Sequence, residues 1–188
     1  MRRRRLQLAA LVAVMGLMGV VAAAVAGDGN RKVREHLTGY EEVAAPPGVS
    51  TISTSGTGDF RARVSDDRIE YKISYGALEG NVLQSHIHLG ARAIQGGISA
   101  FLCTNLGNGP PGTPTCPGPH DGTVEGTIEP NEVVGPTGQG IDPGEYGELL
   151  RAIRAGATYA NVHSSKYPSG EIRAQLNDDD DNGHRDDD

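Results

Sequence analysis

The chain has 188 residues, with 24 Asp and Glu against 17 Lys and Arg, a formal charge of −7, two cysteines and no tryptophan. So acidic a balance argues against nucleic acid or an anionic membrane surface as the main partner. The length suits one domain with enough chain to bury a real core.

The first segment is Met1-Arg2-Arg3-Arg4-Arg5, followed by an apolar run from Leu6 to Ala26 that exits through Ala24-Val25-Ala26. A basic start, an apolar core and a small-residue exit predict a secretory signal peptide over residues 1–26, cut after Ala26. The alternative is a retained anchor, because the run is about long enough to span a bilayer. Removal of Arg2 to Arg5 leaves 13 basic against 24 acidic residues, a formal charge near −11. No second apolar run of that length follows. The mature protein is therefore expected outside the cytoplasm and not embedded in a membrane: secreted, periplasmic or at the cell surface.

The middle of the chain reads as short strands. Lys32 to Leu37 is expected to start the sheet. Gly58, Phe60, Ala62 and Val64 alternate with Asp59, Arg61 and Arg63. After a turn at Asp66-Asp67, Ile69, Tyr71, Ile73 and Tyr75 alternate with Glu70, Lys72 and Ser74, which predicts a hairpin with one apolar face. Val82 to Leu89, Gly97 to Leu102 and Gly122 to Ile128 follow. Cys103 and Cys116 flank a loop rich in Gly and Pro, and in an exported protein two cysteines are expected to form one disulfide. Asp142 is placed to cap a helix with Pro143 in its first turn; Tyr146, Leu149, Leu150 and Ile153 share its apolar face, and Gly156 ends it. Thr158 to Ser164 and Gly170 to Leu176 make a last pair. The sum is an all-β sandwich or barrel of about eight antiparallel strands with one α-helix packed against it.

Residues 178–188 form an acidic tail with seven aspartates, for which disorder is the default. Asp178, Asp180, Asn182 and Gly183 also match the start of a calcium loop, but the bidentate Glu that would complete it is missing. A solvated tail is the stronger expectation and a weak calcium site the lesser one.

The chemistry concentrates in His86-Ile87-His88 and Asn161-Val162-His163. Strand alternation sends His86 and His88 to one face and Ile87 to the other. Should His86, His88 and His163 converge, three neutral imidazoles would suit copper or zinc, with one position open. His120, in the loop Cys116-Pro117-Gly118-Pro119-His120, is a weaker fourth candidate. The plainer reading is a hydrogen-bonded network in the sheet that includes Asn161. Other catalytic sets are poorly supported. No Gly-x-Ser-x-Gly occurs. Ser85 faces away from His86, and Glu41 and Glu42 diverge if the chain is extended. The glycine-rich run from Gly135 to Gly140 lacks the lysine of a phosphate loop. Glu171 and Arg173 share a strand face and are expected to pair.

The order of Leu37-Thr38-Gly39-Tyr40-Glu41-Glu42-Val43, Ser55-Gly56-Thr57-Gly58, Gly76-Ala77-Leu78-Glu79-Gly80, His86-Ile87-His88-Leu89-Gly90, Asn161-Val162-His163 and Gly170-Glu171-Ile172-Arg173-Ala174-Gln175-Leu176 resembles the CHRD domain, named after repeats in chordin. The resemblance covers about Arg34 to Leu176, within a domain drawn at residues 32–177. It implies an all-β domain in an extracellular setting and little about activity. A binding or structural module rather than an enzyme is expected, with an unidentified extracellular protein or surface ligand as partner. Gly76 to Gly80 before His86-Ile87-His88, together with Val162-His163, is also similar to copper/zinc superoxide dismutases. That likeness implies, as the alternative function, a copper-dependent oxidoreductase. The histidine-rich zinc loop of those enzymes has no counterpart here.

Overall fold

A computed structural model describes residues 30–43 and 51–177. The signal segment expected at 1–26 lies outside the described residues. So do the acidic tail and its calcium candidates Asp178, Asp180 and Asn182.

Eight strands form one antiparallel sheet: β1 (Asn30–Thr38), β2 (Thr57–Ser65), β3 (Ile69–Gly76), β4 (Val82–Leu89), β5 (Gly97–Thr104), β6 (Gly122–Ile128), β7 (Thr158–Ser164) and β8 (Ile172–Leu176). Their order is β5-β4-β7-β8-β1-β2-β3-β6. The sheet curls into a nearly closed barrel, which removes most of the exposed edge. Where its two ends approach, the Tyr71 hydroxyl on β3 donates to the Leu102 carbonyl on β5 at 2.6 Å.

Alternation explains the β2–β3 hairpin. Phe60 pairs with Ile73, Ala62 with Tyr71 and Val64 with Ile69, and all six side chains are buried. Burying each large one contributes about 1.5–3 kcal/mol before chain entropy is counted. The turn closes through Ser65, whose hydroxyl meets Asp67 Oδ1 at 2.7 Å and the Arg68 carbonyl at 2.9 Å.

The helix α1 (Tyr146–Arg154) buries Tyr146, Leu149, Leu150 and Ile153 as its spacing predicts. The Tyr146 hydroxyl donates to the Ser65 carbonyl at 2.7 Å, fixing the helix near the β2–β3 turn. Asp142 does not cap it. Glu145 occupies the cap position without a side-chain bond, and its carboxylate instead accepts the Asp142 N–H at 2.8 Å. Gly144, at φ +86°, breaks helical geometry between Pro143 and Tyr146, so the helix begins after it. Gly156, at φ +62°, follows its C-terminal end as expected. Cys103 and Cys116 are joined in a disulfide, tying the end of β5 to its following loop.

The sheet has two unlike halves. Over β1, β2, β3 and β6 one face is core and the other solvent. Every residue of β7 and β8 is buried. Their core face carries Ala160, Val162, Ile172 and Ala174, beside Ile87 of β4. Their other face is also covered, because segments including 90–96 and 167–170 fold over it, and that face carries the histidines.

Candidate metal centre

β7 lies beside β4 with His86 opposite Asn161 and His88 opposite Tyr159. This pairing brings His163 onto the same face as the two β4 histidines, although some seventy residues separate them in sequence. One ring nitrogen of each of His86, His88 and His163 falls within 4.8 Å of the others. The three residues are 0%, 6% and 6% exposed.

Backbone carbonyls set the tautomers. His88 Nδ1–H donates to the Gly96 carbonyl and His163 Nδ1–H to the Pro168 carbonyl, each at 3.0 Å. Each bond leaves Nε2 as a bare lone pair, the usual way a protein orients a metal-binding imidazole. His163 Nε2 lies 3.1 Å from His86 Nδ1, which therefore carries the proton between them. Nε2 of His86 and Nε2 of His88 are buried with no partner. Unsatisfied buried nitrogens are costly and call for an explanation.

Burial holds all three imidazoles neutral. His88 and His163 are pushed down to about 4, chiefly by desolvation, and His86 to about 2 by desolvation and its two neighbours. Neutral imidazole is the metal-binding form. Two nitrogens each about 2.0–2.1 Å from one ion at a tetrahedral angle lie about 3.3 Å apart. The His86–His163 pair already has about this spacing, but because His86 Nδ1 carries the proton, the two share an ion only once that proton moves to Nε2 or the ring turns Nε2 inward.

A stacked column supports the site. The His88 ring lies parallel to Tyr159, centroids 4.8 Å apart. On Tyr159, in turn, sits the Arg173 guanidinium, 3.4 Å from the ring centroid. Arg173 is 1% exposed and donates to the carbonyls of Ala91 and Ile94, both at 3.0 Å, anchoring segment 90–96 over the face. Phe101 closes the other side, edge-on to His86 at 4.5 Å.

The remaining candidates fall elsewhere. His120 is exposed and gives its Nδ1–H to the carbonyls of Leu78 (2.9 Å) and Gly80 (3.2 Å), so it is not a fourth member of the cluster. Glu171 and Arg173 do not pair. Glu171 precedes β8, outside its alternation, and its Oε1 accepts from Thr54 Oγ1 and the Glu79 N–H, each at 2.7 Å. Glu41 and Glu42 diverge. Glu41 binds Arg92 at the surface, while Glu42 is buried beside Asn161 and Gly170, its carboxyl pushed up by burial. Tyr159, Arg173 and Glu42 join the site without being among the candidates that the sequence pattern offers. The alternation Tyr159-Asn161-His163 already carried a signal for the first.

Residues 33–176 match the family model of the CHRD domain. The chain belongs to the CHRD domain family. No curated protein and no solved structure matches it significantly. The histidines and the column beneath them thus lie within the CHRD domain, and membership supports a binding or structural role. Among the described residues no helix is long and apolar enough to cross a membrane, and the disulfide is compatible with an oxidising compartment.

Proposed function

We propose that this CHRD protein is an exported binding module that holds one copper or zinc ion on His86, His88 and His163. The observation that carries this reading is the set of three neutral imidazoles within 4.8 Å, with His88 fixed by the Gly96 carbonyl so that its Nε2 is free, and His163 fixed by the Pro168 carbonyl so that its Nε2 meets only the His86 ring. A polar network needs no such arrangement, and it would not leave Nε2 of His86 and His88 without partners. The signal-like start and the disulfide support an extracellular setting. An extracellular protein or surface ligand is then the expected partner.

The dismutase-like alternative is not favoured. His120 is committed to two carbonyls, and the three imidazoles sit under Arg173 and segment 90–96 with at most 6% exposure. An enclosed site suits retention of an ion better than turnover of a diffusing substrate.

The test is metal content of the protein prepared without a histidine tag and offered copper and zinc. About one ion per chain, as the donor set predicts, and its loss in His86→Ala/His88→Ala would support the site. A wild-type chain that takes up neither ion would overturn it.

A further inference from the structure

The outer face of β1 and β2 carries a concentration of positive charge in an otherwise acidic protein. In register, Lys32 lies opposite Arg63 and Arg34 opposite Arg61. Directly opposed like charges cost stability in a sheet. The acids of this face are engaged by other side chains: Asp59 meets His36, Glu70 meets Arg68 and Glu125 meets Lys72. Among the described residues, no acid lies within ion-pairing distance of Lys32, Arg61 or Arg63. The face also forms a shallow groove lined by five cations, Lys32, Arg34, Arg61, Arg63 and Lys72, against two acids, Glu70 and Glu125.

The chain's most acidic segment starts at the border of this face. β8 is antiparallel to β1 with Arg173 opposite Thr38. Following that register, residue 177 falls beside Arg34, and Asn177 does donate its N–H and its Nδ2 to Glu35 Oε1, at 3.0 and 3.1 Å. The next residues are Asp178, Asp179, Asp180 and Asp181. Neighbouring strands are about 4.8 Å apart, so β2 lies within about 10 Å of the exit. Four extended residues reach about 13 Å.

We infer that the acidic C-terminal segment, residues 178–188, docks on the basic outer face of β1 and β2 of its own chain. Short tethering gives the segment an effective concentration in the millimolar range, and the opposed cations supply complementary charge. The docked segment relieves the repulsion within the face and shields it from other polyanions. This inference is independent of the metal site.

The chain has three lysines, which make a zero-length carbodiimide crosslink decisive: Lys32 and Lys72 lie on the face, whereas Lys166 is paired with Glu79 beyond the opposite end of β7. Full-length protein is treated at low ionic strength, and the monomer is digested and mapped by mass spectrometry. Amide links from Asp178–Asp181 to Lys32 are expected. They should largely vanish at about 1 M salt, where the screening length falls to about 3 Å, and in Arg61→Glu/Arg63→Glu. The Lys72–Glu125 link serves as the control for an intact fold in each sample. Absence of the tail–Lys32 link while the control link forms would overturn the inference. So would equal linkage of the tail to Lys166, or linkage found only in a dimer.

Discussion

The burial of three imidazoles makes acid sensitivity of the metal-free protein a quantitative prediction. An unfolded histidine titrates near 6.5, whereas His88 and His163 are held at about 4 in the fold, chiefly by desolvation. Between these values the unfolded chain binds protons that the fold refuses, so stability falls as pH falls, and levels off only below the folded pKa. The slope is about 1.4 kcal/mol per pH unit for each histidine, so going from pH 7 to pH 5 costs roughly 2 kcal/mol apiece. His86, depressed to about 2, acts with the same sign. Glu42 opposes it, because a carboxyl raised by burial is destabilising when ionised and recovers as pH drops. A difference between two proteins isolates one imidazole. Urea unfolding of wild type and His88→Gln, both stripped of metal, should show their stability gap change by about 2 kcal/mol in favour of the variant between pH 7 and pH 5. With urea slopes of about 1–3 kcal/mol/M that is roughly a 1 M shift in relative midpoint. A gap that stays constant across this range would mean that His88 is hydrated in the fold, and the desolvation argument would fail.

Other outcomes follow from the same contacts. Cys103→Ala/Cys116→Ala should lower stability by about 3 kcal/mol, the chain-entropy value for a short closed loop, read as a fall in thermal midpoint. Gly170→Ala should destabilise on two counts: the backbone sits at φ +131°, and the new Cβ would collide with the Glu42 carboxylate. Adding Glu42→Ala should recover only the part due to the clash, so full recovery in calorimetry would refute the backbone component. Tyr159→Leu removes the ring between His88 and Arg173. It should weaken metal binding about 10–100-fold, as loss of a supporting partner does, while the chain stays folded; unchanged affinity in competition titration would show that the column does not orient His88.

Local patterns in the sequence mapped onto much of the fold. Alternation from Gly58 to Val64 and from Ile69 to Tyr75 matched the observed burial, because a one-residue slip would expose every apolar side chain of the hairpin. The helix face was legible for the same reason, while its start was not. Asp142 offered a cap, but Pro143-Gly144 formed a turn of its own, and backbone geometry outweighed side-chain preference. Arg173 looked like a surface partner for Glu171. Only the fold of segment 90–96 showed it buried, satisfied by carbonyls distant in sequence.

The sequence by itself determined the elements, the disulfide partners, the family resemblance and the face on which His86 and His88 lie, since each depends on neighbours within a few residues. Tertiary structure alone decided that His163 joins them, that His120 does not, and that the site is enclosed. Those outcomes follow from the lateral pairing of β4 with β7 and from the segments that cover their outer face. Contacts across so long a stretch of chain are set by which strands become neighbours, and alternation within a strand carries no record of that choice.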